Sequence, residues 1–167
     1  MSNQAYFYIV RLLSMRDYSE HKLKTKLREK KFTTDEIENA LTEIKAKGYL
    51  RENAYIESRI KGFMHKYCSI NYIKQKLQQE KLNVSEEVIS DIFDEHQITE
   101  NDQIRYLLTK KLKSANTENI EDWLKAKQKA MRYALSKGHN ISLTIKILKE
   151  FKNKNLSLND HLDEPLT

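Results

Sequence analysis

Residues 18–32 read Tyr18-Ser19-Glu20-His21-Lys22-Leu23-Lys24-Thr25-Lys26-Leu27-Arg28-Glu29-Lys30-Lys31-Phe32. Fifty positions later the chain reads Cys68-Ser69-Ile70-Asn71-Tyr72-Ile73-Lys74-Gln75-Lys76-Leu77-Gln78-Gln79-Glu80-Lys81-Leu82. Ser19 meets Ser69, Leu23 meets Ile73, Lys24 meets Lys74, Lys26 meets Lys76 and Leu27 meets Leu77. The apolar pair in each copy is four residues apart, so both members share one helix face. The serine ahead of each stretch can cap the exposed amides of a helix start. After one inserted residue, Ile37 meets Val88 and Leu41 meets Ile92. A looser third copy runs from Met131-Arg132-Tyr133-Ala134-Leu135 through Lys137-Gly138 into Ile141–Leu148.

Outward from these stretches, each copy parses into three helices. The first helix of copy one places Tyr6, Ile9, Val10 and Leu13 at helical spacing between Gln4 and Met15. Ser19 opens the second. Thr33-Thr34-Asp35-Glu36 is a capping box opening the third, which carries Ile37, Leu41 and Ile44 and stops at Gly48. Copy two repeats this with Ala54–Lys66, Ser69–Glu80 and Ser85–Asp94, and copy three with Glu100–Leu112, Asn119–Ser136 and Ser142–Phe151. The expected organisation is three three-helix repeats over 4–53, 54–99 and 100–152, followed by a mobile C-terminal tail over 153–167. One such unit has too few apolar residues to offset its own ordering entropy, so neighbours must share surface. The expectation is an all-α fold of tandem repeats in an elongated, curved array.

Composition agrees. Among 167 residues there are three glycines and one proline, Pro165, which starves a β-rich fold of its tight turns. The single Cys68 rules out an internal disulfide and points to a reducing compartment. There is no signal-peptide pattern at Met1-Ser2-Asn3-Gln4 and no window of about 18 apolar residues, so a cytoplasmic, membrane-free protein is expected.

The formal charge is +6. Residues 1–53 carry 11 bases and 8 acids, residues 54–100 carry 6 and 8, and residues 101–167 carry 13 and 8. Basic ends suit a polyanion or an acidic protein surface, and equally a lysine-rich solvated exterior.

Chemistry-bearing motifs are scarce. Three scattered glycines cannot make a phosphate loop, and no Cys-x-x-Cys or His-Glu-x-x-His is present. His21, His65, His96, His139 and His161 lie far apart in sequence and read as surface or cap residues. The sequence therefore implies no catalytic residue, cofactor or metal. Its informative class is basic. A cation follows the first inner apolar residue of each middle helix: Lys24, Lys74 and Arg132. Lys110 and Lys111, with Lys127 and Lys129, extend the set of candidate contacts for phosphates or carboxylates. Lysine methylenes covering apolar flanks explain any one of them as well. Tyr49, Tyr55, Tyr106, Trp123 and Tyr133 suit either core or partner contact, and Trp123 is expected to close the third repeat.

Tyr18-Ser19-Glu20-x-x-Leu23-x-x-Lys26-Leu27, followed by Gly48-Tyr49-Leu50 and Tyr55-Ile56-x-Ser58-Arg59, resembles the RecX family of regulatory proteins. The resemblance covers roughly residues 5–151. It departs from the family at His139, where an aromatic residue is usual, at the insertion near Asn83-Val84 and in the linker after Leu112. It implies tandem three-helix repeats and a bacterial modulator of the RecA recombinase. Such a protein lies in the groove of the RecA–DNA filament and inhibits strand exchange and coupled ATP hydrolysis, with direct contact to single- or double-stranded DNA in some cases. The expected actor is a monomer. The competing expectation, from three short basic-flanked helices alone, is an autonomous DNA-binding module.

Overall fold

The computed structural model describes residues 4–115 and 119–159, with side chains through 151. The described residues form nine helices and no strand. They are α1 (Gln4–Met15), α2 (Glu20–Glu29), α3 (Thr34–Ala46), α4 (Glu52–Met64), α5 (Ile70–Gln79), α6 (Glu86–Glu95), α7 (Glu100–Leu112), α8 (Ile120–Ser136) and α9 (Ile141–Asn159). The all-helical expectation holds.

The helix starts follow the sequence. The Lys22 amide donates to Ser19 Oγ at 3.3 Å, and the Tyr72 amide to Ser69 Oγ at 3.2 Å. Thr33 and Glu36 form the capping box: the Glu36 amide donates to Thr33 Oγ1 and the Thr33 amide to Glu36 Oε2. The same box recurs at Thr99 and Asp102, where the sequence reading had not marked one.

The stops are more uniform than the sequence suggested. Among the described residues, α2, α3, α4, α5, α6 and α8 are each followed by a residue of positive φ: Lys31, Gly48, Tyr67, Lys81, Gln97 and Gly138. In every case the next amide reaches back to the carbonyl five residues earlier. The bonds are Phe32 to Leu27, Tyr49 to Ile44, Cys68 to Phe63, Leu82 to Leu77, Ile98 to Phe93 and His139 to Ala134. This is the Schellman closure, which satisfies carbonyls left open at a helix end. Four of the six left-handed residues are not glycine, so a search for glycine finds only two of these stops.

The repeated closure fixes the register of the middle helices. Counting back from Lys31, Lys81 and Gly138 aligns Leu23 and Leu27 with Ile73 and Leu77 and with Ala130 and Ala134. Each of these six is at most 1 % exposed. The third pair is alanine, which is why it escaped a search for large apolar residues. Met131, not Arg132, then stands in step with Lys24 and Lys74, so the expected series of cations is displaced by one residue in α8.

The helices pack as two units: Met1–Gly62 with Lys74–Ile92, and Phe63–Ile73 with Phe93–Thr167. In the first, α1 and α2 pack on α3, burying Ile9, Leu12, Tyr18, Leu23, Leu27, Ile37, Leu41 and Ile44. In the second, α7, α8 and α9 pack on one another around Ile104, Leu108, Leu112, Ala130, Ile147 and Leu148. Trp123, Met131, Leu143 and Phe151 close over that core.

Two helices have other bounds than expected. α4 opens at Glu52, ahead of 54. α9 runs on to Asn159, past the expected helix end at Phe151, and no glycine or proline interrupts residues 152–159. The rest of the expected tail, 160–167, lies outside the described residues.

Candidate polyanion-binding cleft

α8 carries a run of cations along one face. Lys125, Lys129 and Arg132 are spaced four and then three residues apart, so they line up along one side. Tyr133 follows on the same side. Across from them, α7 contributes Lys111. These five residues line an open cleft of about 590 Å³. All four cations are exposed, and Tyr133 is half-buried.

Tyr133 sits under the charges. Lys111 Nζ lies 4.1 Å from its ring centroid and Lys137 Nζ lies 5.4 Å away, both within cation–π range. Lys125 pairs with Glu121 at 2.6 Å, one turn earlier on the helix. Among the described residues Lys111, Lys129 and Arg132 form no ion pair. Several cations with little local neutralisation give a field that attracts phosphates or carboxylates.

The sequence-predicted contacts divide accordingly. Lys111, Lys129 and Arg132 meet in the cleft. Lys110 is exposed on α7 beside it in sequence, and Lys127 lies on another side of α8, against α9. In the first unit Lys24 holds Glu20 at 2.8 Å, and Lys74 holds Glu86 at 3.2 Å. Hydrogen bonds from Lys24 and Lys45 keep the Glu20 carboxyl below the usual range for a glutamate. An incoming polyanion must compete for Lys24, Lys74 and the cleft's own Lys125, whereas Lys111, Lys129 and Arg132 hold no acid among the described residues. Lys125 was not among the expected contacts, although its spacing from Lys129 was readable.

The aromatic candidates separate too. Tyr55 is buried, and Tyr49 and Tyr106 are about half exposed. Tyr106 stacks on Tyr67 with centroids 4.1 Å apart.

The first unit holds a different charged group. Lys22 Nζ donates to Tyr55 Oη at 2.7 Å and lies 3.1 Å from Glu80 Oε2. Tyr55 Oη donates to the same carboxylate at 2.7 Å, and Arg59 pairs with its other oxygen. Burial pushes the Glu80 carboxyl up, but hydrogen bonds from Arg59, Tyr55 and Lys22 outweigh it and hold the carboxyl low. This network ties α2 and α4 to Glu80, the residue that follows α5.

His139 is 4 % exposed. Its Nε2 lies 2.8 Å from the Tyr67 carbonyl and its Nδ1 lies 3.3 Å from Glu100 Oε1. Among the described residues no three His, Cys, Asp or Glu side chains gather in a way that would hold a metal ion. No described helix is long and apolar enough to cross a membrane.

Repeated helix closures and the all-helical packing of the described residues define a helical-repeat protein, with an open cationic cleft between α7 and α8. Comparison with known proteins narrows the class. Residues 5–43 match the family model described as RecX, first three-helix domain. The chain is 36% identical over 138 residues to regulatory protein RecX of Haemophilus influenzae strain 86-028NP, covering 83% of this chain and 88% of that protein. It is 34% identical over 138 residues to regulatory protein RecX of Pasteurella multocida, covering 83% and 82%. A crystal structure of regulatory protein RecX superposes with a TM-score of 0.65 at 21% identity, covering 86% of this chain and 71% of that one. The chain belongs to the RecX family of regulatory proteins.

Proposed function

We propose that this chain binds the RecA recombinase, or its filament on DNA, and inhibits strand exchange and the coupled ATP hydrolysis. The observation that carries this reading is the 36% identity to a regulatory protein RecX across 83% of the chain. The proposed organisation is three repeats over 4–53, 54–99 and 100–152. The proposed contacts are Lys111, Lys129 and Arg132 in the cleft, joined by Lys110 and Lys127 and, after exchange of their acids, by Lys24 and Lys74. The protein acts by occlusion, without chemistry of its own. Its cations engage the filament's acidic surface or DNA backbone.

The test is co-sedimentation with RecA filaments, followed by ATPase and strand-exchange assays. The triple variant Lys111→Glu, Lys129→Glu, Arg132→Glu should lose inhibition while keeping its helical circular dichroism. Undiminished inhibition by this variant excludes the cleft as the contact.

The open cleft favours one second reading, an autonomous DNA-binding module. That reading requires salt-dependent binding to naked duplex without RecA. Salt titrations with and without RecA separate the two.

A further inference from the structure

α8 has a second working side. Leu124 and Met131 of α8 face Ile145 and Leu148 of α9 across a groove of about 280 Å³, with Lys127, Gln128 and Lys149 at its edges. Leu124 is 50 % exposed and Ile145 is 37 % exposed. Ile120 lies one turn before Leu124, and Ile141 one turn before Ile145. They share those helix faces and are more exposed still. Single exposed aliphatics are ordinary on a protein surface. Here four of them lie along adjacent faces of two packed helices, and two line the same groove. An exposed apolar groove of this kind marks an interaction surface.

Charge selects the occupant. Both charged residues lining the groove are lysines and no acid lines it. Neither lysine forms an ion pair among the described residues. Phosphodiester would not wet an aliphatic floor. A second copy docked face to face would set the lysines of this patch against themselves. An aliphatic floor with cationic edges fits an amphipathic helix whose aliphatic side chains enter the groove and whose acids meet the lysines.

We propose that the α8–α9 groove docks an acidic amphipathic helix of a protein partner, its carboxylates meeting Lys127 and Lys149. The surface is separate from the cationic cleft, because Lys125, Lys129, Arg132 and Tyr133 line one side of α8 while Leu124, Lys127, Gln128 and Met131 line another. The proposal does not depend on which protein supplies the helix.

The test uses the full chain and three labelled synthetic peptides of about four helical turns. The first has leucine at helical spacing with glutamate elsewhere, the second replaces its glutamates by lysines, and the third is a scramble of the first. Fluorescence anisotropy should show the acidic peptide binding about tenfold or more tighter than either control. Leu124→Ser with Ile145→Ser should weaken it about tenfold with helicity unchanged, since both side chains already meet solvent. Lys127→Glu with Lys149→Glu should invert the preference toward the lysine peptide. Lys129→Gln with Arg132→Gln, which strips the cleft, should leave the affinity in place. Equal binding of acidic and basic peptides, or indifference to the Leu124 and Ile145 changes, overturns the proposal. So does a chain ended at Asn159 that binds about tenfold tighter, which would make its own acidic residues 160–167 the occupant. A concentration-dependent dimer lost on Leu124→Ser overturns it in favour of a second copy.

Discussion

Ser69 Oγ donates to the Gly138 carbonyl at 2.8 Å, and the Ser69 amide donates to the Lys137 carbonyl at 2.9 Å. The start of α5 is thereby bonded to the stop of α8, and the two come very close. A Cβ at position 138 would lie 2.6 Å from Ser69 Oγ and 2.7 Å from the Tyr72 Cβ, at a φ of +84°. Gly138→Ala should therefore cost about 3 kcal/mol, combining left-handed strain with overpacking. Urea unfolding should show the lower midpoint.

Lys31 and Lys81 take the same backbone conformation at φ 65° and 60°, but on the exposed surface. Glycine there removes left-handed strain and adds some unfolded-chain entropy. Lys31→Gly and Lys81→Gly should each stabilise by about 0.5–1 kcal/mol. The denaturation midpoint should rise with an unchanged slope.

Glu80 holds Lys22, Tyr55 and Arg59, and its carboxyl titrates below its ordinary value of 4.5. A carboxyl depressed on folding contributes stability above its unfolded value, and that contribution is lost as pH falls through the folded value. Thermal midpoints should accordingly fall below about pH 4.5. Glu80→Gln should cost about 1–3 kcal/mol at neutral pH and flatten that acid limb. An unchanged acid limb in the variant would remove Glu80 from the account.

The His139 side chain fills the position after the left-handed Gly138, where Phe32 and Leu82 stand in the other middle helices. It also hydrogen-bonds the Tyr67 carbonyl. His139→Phe keeps the packing and loses that bond, at an expected cost of about 1 kcal/mol. His139→Ala loses both and should cost about 2–3 kcal/mol. Paired chemical denaturation curves distinguish the two.

The cleft makes a quantitative salt prediction. If Lys111, Lys129 and Arg132 each meet a duplex phosphate, replacing all three with glutamine should lower the slope of log K against log salt by about 2–3. A slope that does not change places the DNA contacts elsewhere.

Most of the fold was legible because helix starts announce themselves in side chains. Ser19, Ser69 and Thr33 cap helices where the sequence placed them, and Asn119, expected as the first residue of its helix, is the cap of α8. Helix stops do so less, since a Schellman closure is a backbone event that Lys81, Tyr67 or Gln97 can occupy. The third repeat's register is one residue away from the expected one because Ala130 and Ala134 carry little hydrophobic signal, although they are the most deeply buried pair in α8. Half of the site was readable from the Lys129 and Arg132 spacing. That Lys111 faces it from α7 depends on helix packing, which no local pattern encodes. Glu20, one turn before Lys24, was a readable partner for it, whereas Glu86 reaches Lys74 from the next helix, which no local pattern encodes.

The repeated closure has a consequence for how this surface can change. At positions 31, 81 and 97 the left-handed residue is exposed, and main-chain bonds define the stop. Those corners can carry lysine, glutamine or another polar group while the helices they join keep their course. Outward decoration and inner framework are thus separable there, whereas at position 138 the crowding by Ser69 and Tyr72 binds the two together.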